Sequence, residues 1–174
     1  MDISHAVRHR WAKARDSLDR DTRSFARSLG AATSPSADLF VVGTPAYEPW
    51  HFVAHLSEEA TRRGRPDLSP HLLRWSIPLG APHHLARSVD EMLSVPRGQT
   101  VLVIDPGDIG DQELLTRIAD AKKRGSRIFS LHREDAELMD LSHETLSVDA
   151  ARPQYDFDIT QHVVTDLTPQ SPLS

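Results

Sequence analysis

Short, continuously apolar runs alternate along this chain with longer segments whose apolar residues recur every three or four positions. The two clearest runs are LFVVG (39–43) and TVLVID (100–105). A strand that is apolar at every position is buried on both faces, as in a parallel sheet that is covered by helices. Because parallel strands need crossover connections, the alternation predicts an α/β fold with a doubly wound parallel sheet.

The segments between these runs have the length and periodicity of helices. Residues 49–64 predict a helix with Pro49 in its first turn and Gly64 at its end, and residues 111–124 predict a helix that stops before Gly125. The same criteria predict the remaining elements: strands at 72–79, 126–131 and 144–148, and helices at 81–93 and 133–140. Helices are therefore expected on both faces of the sheet.

A long amphipathic helix is predicted ahead of the first strand, at residues 4–29. Its apolar residues recur at steps of three, four or seven: Val7, Trp11, Ala14, Leu18, Phe25 and Leu29. Because this apolar stripe is narrow, the helix packs either on another helix of its own chain or on a second subunit, and the sequence leaves both arrangements open. The small and polar residues at 30–37 predict the end of the helix.

Length and composition fit one domain and exclude several classes of function. The 174 residues predict a single domain over 1–167, of which 1–29 is the leading helix, and a disordered tail over 168–174. Acids and bases are interspersed and the net charge is -5, so we expect neither a nucleic-acid partner nor a membrane partner. The absence of cysteine excludes disulfides and a thiolate nucleophile. The sequence shows no signal-peptide pattern and no membrane-spanning run, which predicts a cytoplasmic protein.

The stretch VLVIDPGDIGDQE (101–113) runs from a predicted strand through a tight turn into a helix. Backbone N–H groups at such a turn are typical of phosphate sites, and Gly107 gives the turn backbone freedom. This turn carries Asp105, Asp108 and Asp111, however, and carboxylates repel a phosphate. Three interpretations stay open: the acids form the turn and cap the helix, they contact a ligand or cation, or the loop binds phosphate in the usual way.

The loop after the first strand, GTPAYEP (43–49), is a second candidate for ligand binding. Gly43 provides a flexible turn, Thr44 provides a hydroxyl group, and Glu48 lies where a substrate would meet the following helix. The alternative is structural, because an acid at a helix start interacts favourably with the helix dipole and Tyr47 is suited to packing.

Two of the ten histidines are spaced for metal binding. His51 and His55 are one helical turn apart, so their side chains emerge on one face of the predicted helix, with Glu58 and Glu59 on or near that face. Two histidines, a carboxylate and a water molecule are an adequate ligand set for Zn²⁺. Zinc is therefore a candidate cofactor, and a polar helix face exposed to solvent is the alternative.

The order of these elements, together with the stretches KKRGSRIFSL and MDLSHETLSV, resembles the sugar isomerase (SIS) domain family over roughly residues 4–167. The resemblance implies a flavodoxin-like, doubly wound sheet, a homodimer, and a phosphosugar bound at the carboxyl ends of the strands. Family members include aldose–ketose isomerases, phosphosugar-sensing regulators and inactive relatives. A sugar or sugar phosphate is therefore the expected small-molecule partner.

The resemblance also implies where the ligand chemistry differs. In the family, hydroxyl groups in a pattern like S-x-S-G-x-T-x-E bind the phosphate. Placing Glu113 on the final Glu puts Pro106, Asp108 and Asp111 on the two Ser and the Thr. An ionised Asp only accepts hydrogen bonds, and this loop supplies no cation, so the position of the site is kept while its chemistry is changed.

Phosphoheptose isomerases of this family carry an H-F-x-E-E stretch in which a His and the acid four residues later serve the metal or catalytic centre. His51 and Phe52 match that stretch, and His55 replaces the acid. The further ligands in the family are a Gln and a His of the last helix. Gln161 and His162 are the nearby candidates here, and they are adjacent in the sequence.

Two functions follow from these residues. An aldose–ketose isomerase needs a base that moves a proton between adjacent carbons, for which Glu113 and Glu48 are candidates. It also needs a second group at the carbonyl oxygen, and His51 or His55 is the candidate for that role. The alternative is a noncatalytic binding or regulatory protein, dimeric through its first helix, and the acidic turn favours this alternative.

Overall fold

A five-stranded sheet, in which every strand pairs in parallel, lies at the centre of the fold. The strands are β1 (Leu39–Val42), β2 (His71–Leu73), β3 (Thr100–Asp105), β4 (Arg127–His132) and β5 (Glu144–Ser147). Their order across the sheet is β2-β1-β3-β4-β5. The computed structural model describes residues 20–33, 36–81, 87–107, 111–133, 135–148 and 160–161.

The central strands are apolar because both of their faces are covered. Every residue of β1 and β3 is buried, and the two strands pair with Val41 opposite Leu102. In the edge strand β5 only Leu146 is buried, and polar residues occupy the other positions. Polar side chains at a sheet edge discourage pairing with another chain. The prediction of a buried parallel sheet is confirmed.

Helices cover both faces of this sheet. They are α1 (20–32), α2 (Trp50–Arg62), α3 (Gln112–Lys123) and α4 (Ala136–Leu141), with short 3-10 helices at Pro66–Leu68 and Val89–Ser94. α1 and α2 bury Phe25 and Leu56 against one face. α3 and α4 bury Ile118 and Leu138 against the other face, so the doubly wound arrangement is also confirmed. None of the helices within the described ranges combines the length and the apolar content of a membrane span.

α1 lies on the sheet of its own chain. Phe25 meets Phe129 of β4 edge to face, with ring centroids 5.7 Å apart. The helix continues to residue 32, past the predicted stop at Gly30, and near its end the Thr33 hydroxyl donates to the Leu29 carbonyl at 3.0 Å. Four apolar residues of the predicted helix and the predicted tail lie outside the described residues: Val7, Trp11, Ala14, Leu18 and the range 168–174.

The predicted strand at 72–79 is wrong beyond its first two residues. β2 ends at Leu73, and the backbone of Arg74 then bonds to Arg87 and Val89 instead of continuing a ladder. The apolar run predicted too long a strand, because Trp75 leaves the sheet and packs against the core on the α3 face.

The predicted helix at 81–93 is, in its described part, the shorter 3-10 helix Val89–Ser94. The Ser88 hydroxyl accepts from the Asp90 N–H at 3.1 Å, and the Glu91 carboxylate accepts from the Ser88 N–H at 3.2 Å. This capping box fixes the start of the helix later than the apolar periodicity indicates. Residues 82–86 lie outside the described part of the chain.

Candidate functional site

The candidate site lies where the strand order changes direction, between β1 and β3. The chain goes from β1 to β2 on one side and from β3 to β4 on the other. The two connections therefore diverge and leave a crevice at the carboxyl ends of the strands, which is where open α/β sheets bind ligands. The loops that follow β1 and β3 flank this crevice, and they contain most of the predicted site residues.

The loop after β1 folds tightly back on Gly43. A Cβ atom at this position would lie 1.9 Å from the Tyr47 carbonyl oxygen and 2.7 Å from Cδ of Pro49. The Tyr47 N–H closes the turn by donating to the Thr44 carbonyl at 3.1 Å. The backbone of its own loop therefore requires a glycine at position 43, while contact of Gly43 or Thr44 with a ligand stays a prediction.

The side chain of Tyr47 ties this loop to the last helical residues that the structure describes. Gln161, which is 6% exposed, donates from Nε2 to the Tyr47 hydroxyl oxygen at 2.9 Å. Tyr47 also packs, half-buried, against the core on the α1 and α2 face. The packing alternative for Tyr47 is thus correct. His162, the predicted neighbour of Gln161 in a metal site, lies outside the described residues.

Glu48 is held by an arginine from the end of β2. Arg74 donates from Nε to one carboxylate oxygen of Glu48 and from Nη2 to the other, each at 2.9 Å. Glu48 precedes α2, whose first turn contains no acid, so it does not act as a residue of that turn. A two-point contact of this kind neutralises the carboxylate and fixes its orientation.

In the loop after β3, two of the aspartates bond to the backbone. Asp105 Oδ1 accepts from the Gly107 N–H at 2.8 Å, and Asp111 Oδ1 accepts from the Leu114 N–H at 2.8 Å. The turn and N-cap interpretation is therefore confirmed for Asp105 and Asp111. Asp108 lies outside the described residues.

Asp105 is the acid whose electrostatic setting is most altered by folding at this edge. It is the last residue of β3 and only 2% exposed. Burial raises the pKa of its carboxyl group, and the hydrogen bond from the Gly107 N–H opposes that change. The charge of Asp135 raises this pKa further, and His132 lowers it. The neutral form of Asp105 is therefore favoured relative to an exposed aspartate.

Glu113 lies in the first turn of α3 and is paired within its own helix. Arg117 donates from Nη2 to Glu113 at 2.7 Å and forms a second ion pair with Asp90 at 2.9 Å. The same guanidinium lies 5.6 Å from the ring centroid of Trp75. Trp75 in turn donates from Nε1 to the Gly43 carbonyl at 2.9 Å. These contacts connect the β1 loop with the first turn of α3.

Three polar residues at and just after the end of β4 are buried, and the sequence interpretation missed them. His132 is 1% exposed; its Nδ1 accepts from the Asp135 N–H at 3.1 Å and its Nε2 contacts Oγ1 of Thr145 at 2.7 Å. Arg133 and Asp135 follow and are also buried. Their position directly after the predicted strand 126–131 was the available signal.

The two histidines of α2 occupy different settings. His51 is exposed and its ring stacks on Trp50, with centroids 3.5 Å apart, whereas His55 is half-buried. The nearby Glu59 accepts hydrogen bonds from Arg62. Within the described ranges, no three histidine, cysteine, aspartate or glutamate side chains are grouped to hold a metal ion. Zinc binding by His51 and His55 stays a prediction.

Solved structures of other proteins share this fold. The Vibrio vulnificus NanR protein complexed with ManNAc-6P aligns with a TM-score of 0.57 at 15% identity, over 90% of this chain and 58% of that one. A candidate phosphosugar isomerase from Silicibacter pomeroyi aligns with a TM-score of 0.59 at 15% identity, over 90% of this chain and 45% of that one. The sugar isomerase domain of the RpiR transcription factor from Sphaerobacter thermophilus aligns with a TM-score of 0.53 at 10% identity, over 90% of this chain and 86% of that one.

These likenesses establish the fold. The chain has the flavodoxin-like architecture of the sugar isomerase domain, as its sequence predicts. It spans only 58% and 45% of the first two of these proteins. No protein-family model and no curated protein matches the sequence.

Proposed function

We propose that this chain binds a carbohydrate derivative of the sugar phosphate class in the crevice between the loops that follow β1 and β3. The observation that carries the proposal is the change of strand direction at β1 and β3, with polar side chains on both flanking loops. A solved structure with the same fold, the NanR protein, is complexed with ManNAc-6P. This supports a ligand of the same chemical class here.

Arginines at the carboxyl ends of the strands offset the acids of the crevice. Arg74 follows β2 and contacts Glu48, and Arg133 follows β4. The phosphate of a ligand is expected on the β1 and β2 side, where the Thr44 hydroxyl is a candidate donor and Arg74, which is paired with Glu48, adds positive charge. It is not expected at Asp105, because a carboxylate only accepts hydrogen bonds.

The pairing of the candidate bases favours binding without isomerisation. Glu48 is engaged by Arg74, and Glu113 is engaged by Arg117. Each carboxylate is held by its arginine, so it would have to leave that ion pair to take a proton from a substrate. The second candidate function, a noncatalytic binding or regulatory domain, therefore has a specific observation in its favour.

A binding experiment tests the proposal. Purified protein is heated with a panel of sugar phosphates and with the matching unphosphorylated sugars. A ligand at 100 times its Kd adds about 2.7 kcal/mol to the free energy of unfolding, which is easily seen as a rise in Tm. We expect a sugar phosphate to stabilise the wild type and to stabilise Thr44→Val and Arg74→Met less.

The control and the decisive outcomes use the same assay. Arg124→Met, at the far end of α3, should respond to the ligand as the wild type does. Loss of the response in Arg124→Met but not in Arg74→Met would place the ligand away from the crevice, and no stabilisation by any sugar derivative would contradict the proposal. NMR observation of the bound ligand over hours separates the two candidate functions, because only an isomerase interconverts aldose and ketose.

We also propose that the protein is a cytoplasmic homodimer, as the resemblance and the sequence imply. Light scattering after size-exclusion chromatography measures the mass in solution. A mass of two chains supports the proposal, and a monomer at all concentrations contradicts it.

A further inference from the structure

Two buried carboxyl oxygens, one at the end of β3 and one at the N-cap of α4, accept no hydrogen bond from the residues that the structure describes. Asp105 is 2% exposed and Asp135 is 6% exposed. In each residue Oδ1 is used, by the Gly107 N–H at 2.8 Å and by the Leu138 N–H at 3.0 Å, respectively. In each residue Oδ2 is buried without a hydrogen-bond partner. Because the two oxygens of a carboxyl group point in different directions, each Oδ2 faces away from the backbone that holds its Oδ1.

The two carboxyl groups belong to one site. The Arg133 N–H donates to the Asp105 carbonyl at 3.2 Å, which brings the loop that leads to Asp135 alongside the end of β3. The charge of Asp135 also acts on Asp105. Both residues lie at the carboxyl edge of the sheet, on the β3 and β4 side of the crevice. We call Asp105 and Asp135 together the carboxyl pair.

Both ring nitrogens of the neighbouring His132 contact groups outside the carboxyl groups of this pair. His132 accepts at Nδ1 from the Asp135 N–H and contacts Thr145 through Nε2. Leaving a buried acceptor without a donor is costly, and most buried polar atoms in folded proteins have a partner. Two such acceptors lie at the edge of the sheet where this fold has its ligand crevice, and the hydroxyl groups of a bound molecule are a candidate source of donors for them.

The kind of donor follows from the charge at the site. Two carboxyl groups repel a phosphate, and the described residues offer no third histidine or acid that would complete a metal site. Hydroxyl groups donate readily to carboxylates at 2.5 to 2.7 Å, as in many polar ligand sites. Polyhydroxylated ligands present several such donors along one edge.

We propose that Asp105 and Asp135 form the subsite that recognises hydroxyl groups of the sugar ligand. The inference rests on the proposed function and adds an orientation to it. The hydroxyl-bearing end of the ligand lies over β3 and β4, and the phosphate lies toward Thr44 and Arg74. The carboxyl pair then selects for the number and position of hydroxyl groups.

Asparagine variants test the subsite because they keep the backbone contacts. In Asp105→Asn and Asp135→Asn, the remaining carbonyl oxygen still forms the turn or caps α4, while the second oxygen becomes an NH2 group that cannot accept. The probes are a panel of six-carbon sugar phosphates and inorganic phosphate, with affinities measured by calorimetry. We expect each variant to bind the sugar phosphates about tenfold to a hundredfold more weakly, the range for hydrogen bonds to charged groups.

Inorganic phosphate and a matched variant provide the controls. Both Asn variants should bind inorganic phosphate as the wild type does, since the phosphate is expected to lie toward Arg74. Asp140→Asn, on the exposed side of α4, should leave both affinities unchanged. If either variant fails to fold, the other still decides, because each removes one acceptor.

The outcomes separate this inference from the proposed function. Unchanged sugar phosphate affinity in both Asn variants, with weaker binding in Arg74→Met, would contradict the subsite at the carboxyl pair. The proposed function would still stand. A wild type that binds no sugar phosphate and no sugar overturns both. Equal weakening for sugar phosphates and for inorganic phosphate also overturns the subsite, because hydroxyl recognition cannot affect inorganic phosphate.

Discussion

Asp105 combines a favourable backbone hydrogen bond with the unfavourable burial of its second carboxyl oxygen. One carboxyl oxygen closes a turn onto Gly107, and the other is buried without a donor. The first contact is local and could be predicted, since an aspartate before Pro-Gly favours a turn. The burial of the second oxygen could not be predicted, because it depends on residues after β4 that are distant in sequence. Functional sites are where such conflicts are expected.

The pH dependence of stability tests the state of Asp105. Burial raises its folded pKa above the unfolded value of about 3.9. Between these two pKa values the folded state binds more protons than the unfolded state, so the stability of the wild type falls as pH rises through that window. Asp105→Asn does not titrate. We therefore expect its Tm to exceed that of the wild type at pH 7 and the difference to shrink toward pH 4.

Thermal unfolding followed by circular dichroism between pH 4 and pH 7.5 measures this difference. Asp140→Asn serves as the exposed control, and it should show a smaller change with pH. An Asp105→Asn protein that is less stable than the wild type at pH 7, or a Tm difference independent of pH, contradicts the assignment.

The N-cap of α3 gives a second prediction at this scale. Asp111→Ala leaves the Leu114 N–H without its acceptor and should lower the free energy of unfolding by about 1 kcal/mol, within a range of roughly 0.5 to 2 kcal/mol. Urea unfolding at neutral pH measures the change. Asp111→Asn keeps an acceptor and should be close to the wild type, so an equal loss in both variants would argue against the cap.

Among the elements, those with local start and stop signals were predicted best. α3 begins after its Asp111 cap and ends before Gly125, close to the predicted 111–124. β2 was predicted to end at residue 79 instead of Leu73, because its apolar run continues into Trp75, whose ring packs under Arg117 instead of in the sheet. Apolar content alone does not distinguish a strand residue from a residue that leaves the sheet and packs on the core, since both side chains are buried.

The indole of Trp75 should stabilise the β1 loop. Trp75→Phe keeps an aromatic ring near Arg117 but removes the hydrogen bond to the Gly43 carbonyl, at an expected cost of about 1 to 2 kcal/mol. Urea unfolding measures this cost. Trp50→Phe is the control, because Trp50 is 53% exposed and should change the stability little. Equal stability of the Trp75 and Trp50 variants would show that the indole bond contributes nothing.

Zinc binding to α2 is the remaining prediction at the level of elements. We expect Zn²⁺ to raise the Tm, because His51 and His55 lie one turn apart, and we expect His51→Ala and His55→Ala to abolish the rise. Mg²⁺, which prefers oxygen ligands, should not raise the Tm. A zinc effect that persists in both alanine variants would locate the metal elsewhere.

For the whole molecule, the class of fold predicted from the sequence is confirmed, and the edge of the sheet predicted to carry the site stays a prediction. The alternation of apolar runs and helices indicated a covered parallel sheet, and the resemblance supplied the flavodoxin-like order. The assembly of the crevice was beyond sequence reasoning. Arg74, Asp105 and Asp135 come from three separate connections, and only the folded sheet brings their strand ends to one edge.

The central claim is that a carbohydrate derivative binds at this edge of the sheet, and an NMR titration of backbone amides with a sugar phosphate tests it most directly. We expect saturable shifts for Thr44, Gly107 and Asp135, which lie near the carboxyl ends of three strands. Gly98 and Gly125, at the opposite ends of the strands, should not shift. Shifts confined to that opposite edge, or no shifts with any sugar phosphate or sugar, would contradict the account.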